Sequence, residues 1–378
     1  MVIKEFLITA QSGARSNCCS ASNLLLHLQS KSVVMKRSIL MLSSILALFS
    51  CKGQQLLDVD SFSRMLEEND EVQLVDVRTP EEFADGHLAL AANIDWKGSG
   101  FIQKAESALD KAKPVLIYCR SGRRSAEAAQ ALKKAGFNVY DMKGGILKWK
   151  EAGKPTTKYE VERFFTKSKK RVDITLIKHG SLEIRYNGLS IQVDPVAGYG
   201  KPTDYATEFP KADIILVTHE HADHLDPETL ATLTKESTRL ILNRTSSERI
   251  GRGEIIANGE TLTIHGITLD AVPAYNTTPG REKFHPKGNG NGYVLTIDGL
   301  RIYIAGDTED IPEMANLKDI DVAFLPVNQP YTMTPEQCIA AAKAFSPKVL
   351  IPYHYSNTDI SVIPDALPGI DVRIRQMQ

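Results

Sequence analysis

The segment DIILVTHEHADH, residues 213–224, decides the fold of the larger part of this 378-residue chain. Its apolar first half predicts a strand, and the loop that follows carries three histidines and one aspartate within six residues. Imidazole and carboxylate groups together are the ligands that zinc, iron and manganese sites use. A solvated surface would not cluster them in this way, and a core histidine normally occurs singly. The segment therefore predicts a metal site at the end of a strand.

Two later apolar runs end in residues of the same chemistry. The run IYIAGD, residues 302–307, ends in Asp307, and the run VLIPYH, residues 349–354, ends in His354. Packing alone does not readily explain three strand ends that deliver histidine, aspartate and histidine to one edge of a sheet. A further run ends at Asp194, for which the pattern predicts no role beyond support of the loop.

The H-x-H-x-D-H motif at residues 219–224 resembles that of the metallo-β-lactamase superfamily, and the resemblance extends from about Val172 to the C-terminus. It implies an αββα sandwich with a one- or two-metal site, and a hydrolase in which metal-activated water attacks a carbonyl or phosphoryl centre. Two zinc ions per chain are expected, with manganese or iron as alternatives. Asp223 is also expected to orient the nucleophile. The resemblance implies that the first metal is bound by His219 and His221, the second by Asp223, His224 and His354, and both by Asp307.

Within that superfamily the chain is most similar to the hydrolases related to L-ascorbate-6-phosphate lactonase and N-acyl-phosphatidylethanolamine phospholipase D. The similarity is carried by KHGS at 178–181, GDT at 306–308 and PYHY at 352–355. Those relatives place a third ligand of the first metal where this chain has Asn276. We expect His285 to replace it; the alternatives are weak ligation by Asn276 or water, or a single metal. His179 is expected to support the site or contact substrate.

A second reactive loop lies in the first part of the chain. Between Leu56 and about Pro155, short apolar runs alternate with amphipathic helical patterns, which is typical of a parallel α/β sheet. The loop CRSGRRS, residues 119–125, joins such a strand to a helix. A cysteine at this junction lies over a helix N-terminus, where the dipole and nearby arginines favour the thiolate. The same loop could hold a persulfide or another anion.

These hundred residues resemble a single rhodanese (sulfurtransferase) domain, through DVR at 76–78, EEFADGH at 81–87, the loop 119–125 and GG at 144–145. The resemblance implies that Cys119 accepts sulfur from thiosulfate or a persulfide. Cysteine phosphatases need arginine six positions after the cysteine, and this chain has Ser125 there. Non-catalytic rhodanese modules commonly lack the cysteine. The resemblance implies that the sulfur is held by Arg120, Ser121, Gly122, Arg123, Arg124 and Ser125.

The segment MKRSILMLSSILALFSC, residues 35–51, resembles the signal peptide of a bacterial lipoprotein. Its 12-residue apolar stretch is too short to span a bilayer, and LFSC resembles a lipobox in which Cys51 carries the lipid. We therefore expect translation to start at Met35, and the soluble domains to be tied to a membrane of the cell envelope by lipid alone. The expected organisation is leader and signal at 1–50, rhodanese-like domain at 51–155, linker at 156–171 and metal-binding domain at 172–378.

Composition excludes several classes of protein. The 45 basic and 46 acidic side chains give a net charge of −1, which lacks the basic surface that nucleic-acid binding usually needs. No apolar run reaches about 18 residues, which excludes a multi-spanning membrane protein. Five cysteines are too few for a disulfide scaffold in so long a chain. Oligomeric state is not predicted.

The sequence thus predicts an α/β chain in which a rhodanese-like parallel-sheet domain precedes an αββα metallo-β-lactamase sandwich. The favoured function is hydrolysis of a small ester, lactone or phosphodiester, combined with sulfur transfer. The alternative is an Fe(II) persulfide dioxygenase fused to a rhodanese, but the Gly-His-Thr-Pro-Gly-type segment of that family is missing and the domain order is reversed. A third hypothesis is a non-enzymatic sulfur-sensing module.

Overall fold

The structure is a computed structural model that describes residues 55–377. The predicted signal peptide and the predicted lipidation site, Cys51, lie outside these residues. Among the described residues, no helix is long and apolar enough to cross a membrane.

The first domain is a five-stranded parallel sheet in the order β1-β5-β4-β2-β3. The central strand, PVLIY, is buried along its whole length, because helices cover both faces of the sheet. The strands are β1 (Gln55–Leu57), β2 (Gln73–Asp76), β3 (Ala92–Asn93), β4 (Pro114–Tyr118) and β5 (Asn138–Met142). The helices are α1 (Val59–Glu68), α2 (Pro80–Ala84), α3 (Phe101–Ala108), α4 (Arg123–Lys134) and α5 (Gly145–Glu151).

The second domain contains two seven-stranded mixed sheets. The first has the order β12-β11-β10-β9-β8-β7-β6 and the second the order β13 to β19 in sequence. The first consists of β6 (Glu160–Phe165), β7 (Arg171–Lys178), β8 (Ser181–Tyr186), β9 (Leu189–Val193), β10 (Ile214–Val217), β11 (Arg239–Leu242) and β12 (Glu254–Ile255). The second consists of β13 (Thr261–Ile264), β14 (Ile267–Ala274), β15 (Gly290–Ile297), β16 (Leu300–Ile304), β17 (Val322–Pro326), β18 (Val349–Tyr353) and β19 (Asp371–Val372).

One apolar core joins the two sheets face to face, with Ile184 and Leu216 of the first sheet packed into the same cluster as Ile302 and Phe324 of the second. A separate core lies between each sheet and its helices. The helices are α6 (Tyr205–Glu208), α7 (Pro227–Leu233), α8 (Arg244–Ile250), α9 (Pro335–Phe345) and α10 (Ile363–Ala366), with a 3₁₀ turn at Pro312–Asn316. These four layers confirm the predicted fold class, a parallel α/β domain followed by an αββα sandwich.

The segment predicted as a linker, 156–171, contains strand β6, which pairs antiparallel with β7 along its whole length. β6 is an edge strand, and charged side chains are typical of edge strands because they discourage further pairing. Its Glu162 accepts hydrogen bonds from Arg373 and Arg375, which lie more than 200 residues away in sequence. The sequence alone does not show that Arg373 and Arg375 are partners of Glu162, and the charged residues of this segment therefore led to the prediction of a linker.

Two sets of contacts join the domains. His87 and Thr157 exchange backbone hydrogen bonds of 2.8 Å in an isolated antiparallel bridge. The Arg171 guanidinium, at the start of β7, donates to the carbonyls of Leu66 and Glu67 at the end of α1 and to the Asp70 carboxylate.

Gly145 packs against the backbone of the cysteine loop and offers a stability test. Its φ is +61°, and a Cβ at this position would lie 2.3 Å from the carbonyl oxygen of Cys119. Gly145→Ala is expected to destabilise the first domain by about 3 kcal/mol or more, because backbone atoms must move. Both tryptophans of the chain, Trp96 and Trp149, lie in this domain, so denaturant unfolding followed by tryptophan fluorescence reports on it.

The control is Gly153→Ala. Gly153 has a similar φ of +69°, but nothing lies within 4 Å of its would-be Cβ. Gly153→Ala should lower the free energy of unfolding by only about 1 kcal/mol, because alanine is disfavoured at a positive φ. Equal losses in the two variants would show that the close approach of Gly145 to the loop is unimportant.

Candidate metal centre and cysteine loop

The strand ends of the two facing sheets converge at one point. The loop after β10 supplies His219, His221, Asp223 and His224; Asp307 follows β16, and His354 follows β18. Most of these side chains are buried, and only His221 and Asp223 are partly exposed. The structure therefore brings together side chains that are separated by as many as 135 residues in sequence.

Three histidines form a first group of possible ligands. One ring nitrogen from each of His219, His221 and His285 lies within 4.8 Å of the other two. His219 Nε2 and His221 Nδ1 are 3.1 Å apart. Burial and the nearby His224 lower the pKa of His219 well below its usual value, which keeps its imidazole neutral, the form that binds metals.

A second group comprises Asp223, His224, His354 and also His179, again with all four ligand atoms within 4.8 Å. The Oδ2 of Asp223 lies 3.2 Å from His179 Nε2, 3.7 Å from His354 Nε2 and 3.9 Å from His224 Nε2. His179 is the member of this group that the sequence analysis did not place among the ligands.

Asp307 lies between the two groups. Its Oδ2 is 3.2 Å from His285 Nε2 and 3.4 Å from His354 Nε2, and its Oδ1 is 3.4 Å from His224 Nε2. One carboxylate thus reaches ligand atoms of both groups, which is the geometry that a bridging ligand requires.

Several atoms of this cluster are buried and make no hydrogen bond with any described residue. They are His224 Nε2, His285 Nε2, both ring nitrogens of His354, and Asp307 Oδ1. Leaving buried polar atoms unpaired is costly, so native structures rarely do so without a partner that satisfies them. Nitrogen and carboxylate donors that point at a common centre fit divalent transition metals, and the cluster therefore fits a metal site.

A buried hydrogen-bond network orients the loop after β10. Asp194 Oδ2 lies 2.8 Å from His224 Nδ1, so that ring donates from Nδ1 and turns Nε2 toward the cluster. The same carboxylate accepts from the Thr218 amide and hydroxyl, each at 2.7 Å. Against the effect of burial, Asp307 and Asp194 raise the pKa of His224 to about 10, so these carboxylates favour positive charge at this point, whether a proton or a bound metal ion supplies it. The sequence analysis assigned Asp194 only to loop support. Its contact with His224 depends on the parallel pairing of β9 with β10, which the sequence alone does not show.

Asn276 and His285 take different places in the structure. The Asn276 amide group donates to the carbonyls of Tyr331 at 2.7 Å and Arg281 at 3.2 Å, and its Oδ1 is buried without a hydrogen-bond partner among the described residues. His285 Nδ1 lies 3.1 Å from the same Tyr331 carbonyl, which leaves Nε2 for the cluster. This geometry favours His285 over Asn276 as the third member of the first group.

Glu309 holds the loop that leads to His285, a role that the sequence analysis missed. Its buried carboxylate accepts from the backbone amides of Thr277 at 2.8 Å and Thr278 at 2.6 Å, and lies 3.4 Å from Arg281. The sequence feature that comes closest to indicating this role is the position of Glu309 two residues after Asp307.

Replacing His285 by alanine should weaken the first metal position. We expect His285→Ala to lower metal affinity there by at least about tenfold, since even indirect supports of a metal ligand contribute 10- to 100-fold. Metal content after dialysis, measured by elemental analysis, checks the prediction. The matched control is His265→Ala, which removes an exposed imidazole from the β13–β14 turn. Unchanged metal content in His285→Ala would rule out this ligand.

The cysteine loop lies at the end of β4. Cys119 is buried, and its sulfur accepts a hydrogen bond of 3.1 Å from the Gly122 amide, just before α4 begins. Arg120, Ser121 and Arg123 are exposed, whereas Ser125 is buried and donates to the Gly122 carbonyl. Arg124 makes a two-point ion pair of 2.7 and 2.8 Å with Glu82 on α2, and this lowers the pKa of Glu82 to about 2. Arg124 therefore ties α2 to the loop and has less freedom than its neighbours to contact bound sulfur.

Cys119 and Cys338 are both free thiols in the described chain. Cys338 is buried within α9, where burial raises the pKa of its thiol to about 12, so it is an inert core thiol.

Comparisons with known proteins match both domains. Residues 58–152 match the Rhodanese-like domain family, and residues 173–354 match the Beta-lactamase superfamily domain family. A UPF0173 metal-dependent hydrolase of Ligilactobacillus salivarius is 33% identical over 189 residues, which are 48% of this chain and 84% of that protein. A second, from Thermococcus kodakarensis, is 29% identical over 194 residues, 49% of this chain and 85% of that protein.

Among solved structures, a protein of Parabacteroides distasonis named as a candidate metal-dependent hydrolase is 58% identical to this chain, with a TM-score of 0.56. The match covers 58% of this chain and all of that one.

Proposed function

Because this chain belongs, through its metallo-β-lactamase-fold domain, to the UPF0173 metal-dependent hydrolases, we propose that it cleaves a small ester, lactone or phosphodiester at a two-metal centre. We propose further that its rhodanese-like domain transfers sulfur through Cys119. The observation that carries the first proposal is the cluster of unpaired, buried nitrogen and oxygen atoms around Asp307.

Two groups of side chains would hold the metals, which are zinc in our proposal, since imidazole and carboxylate suit it well. When bound, divalent metals supply an activated water and polarise the oxygen of the bond to be cleaved. Asp307 would contact both metals. The first position would be formed by His219, His221 and His285, and the second by Asp223, His224 and His354.

Asp223 is suited to act on the nucleophile as well. Its side chain is about one quarter exposed, so it lies on the solvent side of an otherwise buried cluster. Although burial opposes it, the contacts with His179 and His354 hold the pKa of Asp223 well below its usual value. An ionised carboxylate at this edge can accept a hydrogen bond from the attacking group and so orient it.

Sulfur transfer is supported by the surroundings of Cys119. Its sulfur lies at the start of α4, where the Gly122 amide donates to it at 3.1 Å. Backbone amides and the helix dipole stabilise a thiolate or a persulfide at such a position. Arg120 and Arg123 are exposed beside the loop and are available to an anionic donor such as thiosulfate.

For the cellular context we propose a lipid anchor at Cys51, with both domains facing the periplasm or the exterior. The support is the sequence of residues 35–51, which lies outside the described residues. We propose small molecules, and not nucleic acids, as the substrates, in line with the net charge of −1.

The hydrolase proposal is tested with the purified full-length chain and three probes: bis(p-nitrophenyl) phosphate, p-nitrophenyl acetate and a simple lactone. At least one should be hydrolysed, a chelator should abolish the activity, and added Zn²⁺ or Mn²⁺ should restore it. Failure of the metal-loaded protein on all three probes would contradict the proposed bond classes.

A further inference from the structure

We propose that His179 is a direct ligand of the second metal position, so that this position has four protein ligands of its own besides Asp307. The inference rests on the proposed two-metal centre. The superfamily resemblance supplies only Asp223, His224 and His354 for this position.

The position of the imidazole is the first argument. A ring nitrogen of His179 lies within 4.8 Å of the ligand atoms of all three other members, and its Nε2 is 3.2 Å from Asp223 Oδ2. Two ligand atoms on one tetrahedral zinc ion, each about 2.0–2.1 Å from it, are roughly 3.3 Å apart. The His179 ring packs on that of His354, with 3.6 Å between centroids, so both rings approach the same point.

The backbone that presents His179 is the second argument. His179 and Gly180 form the tight turn between β7 and β8, and His179 has a φ of +47°, which is unusual for a residue with a side chain. Its amide donates to the Met377 carbonyl at 2.6 Å. A Cβ on Gly180 would lie 2.7 Å from His224 Cε1, so glycine is needed for the close approach of this turn to His224. Backbone strain of this kind is concentrated at functional sites.

The neighbours of the turn fix it further. The Lys178 ammonium donates to the carbonyls of Ala197 and Lys201, at 2.7 and 2.8 Å. The Tyr199 ring, carried by the loop between those carbonyls, packs on the His179 ring with 4.4 Å between centroids. The imidazole is also buried. A buried imidazole held in place by its neighbours is suited to act as a metal ligand.

The added ligand makes the two positions unequal. A metal position with fewer protein ligands leaves more of its coordination sphere to water or substrate. With His179, the second position has four ligands and Asp307, while the first has three and Asp307. The second position should therefore bind metal more tightly and fill first, and the first should leave more room for substrate.

The test uses the full chain stripped of metal and titrated with Zn²⁺ against a chromophoric chelator. The wild type should show a tight and a weaker class of site. His179→Gln retains a hydrogen-bond donor toward Asp223 but removes the imidazole, and it should weaken the tight class by at least about tenfold. X-ray absorption at one equivalent of Zn²⁺ should find three imidazoles in the wild type and two in the variant.

His179→Asn is the second variant, because asparagine tolerates positive φ well and is expected to fold if glutamine does not. His265→Ala is the control that should leave both classes unchanged. If wild type and His179→Gln share the same tight affinity and imidazole count, His179 only donates a hydrogen bond to Asp223 and the inference is wrong. A wild type that binds no metal at all would instead overturn the two-metal centre itself.

Discussion

Replacing Asp307 by asparagine is expected to reduce metal-dependent hydrolysis by at least about a thousandfold, which corresponds to roughly 4 kcal/mol of transition-state stabilisation. The Asp307 carboxylate contacts His224, His285 and His354, and in our account it is the one side chain that holds both metals. The substitution keeps the shape of the side chain but removes its charge from a site lined with imidazoles. Metal content should fall at both positions, not at one.

The control is Asp270→Asn, on β14, whose carboxylate accepts from the Thr261 hydroxyl on the neighbouring strand. It removes the same charge from the same domain and should leave activity and metal content close to those of the wild type. Steady-state kinetics measures the activity of both variants, and elemental analysis measures their metal content. Retention of full activity by Asp307→Asn would show that the cluster around it is not the hydrolytic site.

Replacing Cys119 by serine is expected to abolish transfer of sulfur from thiosulfate to cyanide, with a loss of at least about a thousandfold. The hydroxyl is nearly the same size and can still accept from Gly122, but it cannot carry a sulfane sulfur. The proposed hydrolase activity and the metal content should be unchanged, because the two sites are formed by different domains. The thiocyanate produced in the assay measures the loss directly.

Cys338→Ala serves as the control for this experiment. It removes the other thiol of the described chain, which is buried in α9 of the second domain. Sulfur transfer should persist in it. Undiminished transfer in Cys119→Ser would mean that another group carries the sulfur, and transfer that is absent from the wild type would favour a non-catalytic role for this domain.

The sequence was most informative where ligands follow strands directly. Apolar runs that end in His219, Asp307 and His354 can be read as strands, and the ends of parallel strands meet at one edge of a sheet. The alternating pattern of the first domain predicted its parallel sheet, whereas the αββα sandwich was expected from the resemblance of the H-x-H-x-D-H motif to the metallo-β-lactamase superfamily. The structure confirms both.

Features that depend on contacts between distant segments were not predictable. The relation of Asp194 to His224 arises from the pairing of two parallel strands, and that of Glu309 to the His285 loop from a fold-back of the chain. The role we now propose for His179 depends on a strained turn packed against His224, which periodicity does not reveal. The sequence predicts Arg124 only as a positively charged residue of the cysteine loop. Its ion-pair partner, Glu82, lies 42 residues earlier and is identified only in the structure.

Metal stoichiometry is the most direct test of the central claim, that two metals share the cluster around Asp307. Full-length protein purified without added chelator, then analysed for Zn, Mn and Fe against protein concentration, should contain close to two equivalents of zinc or manganese per chain. Hydrolysis should rise and fall with that content. A single equivalent of iron, with oxygen uptake on glutathione persulfide and no hydrolysis, would contradict the account and favour the persulfide dioxygenase alternative.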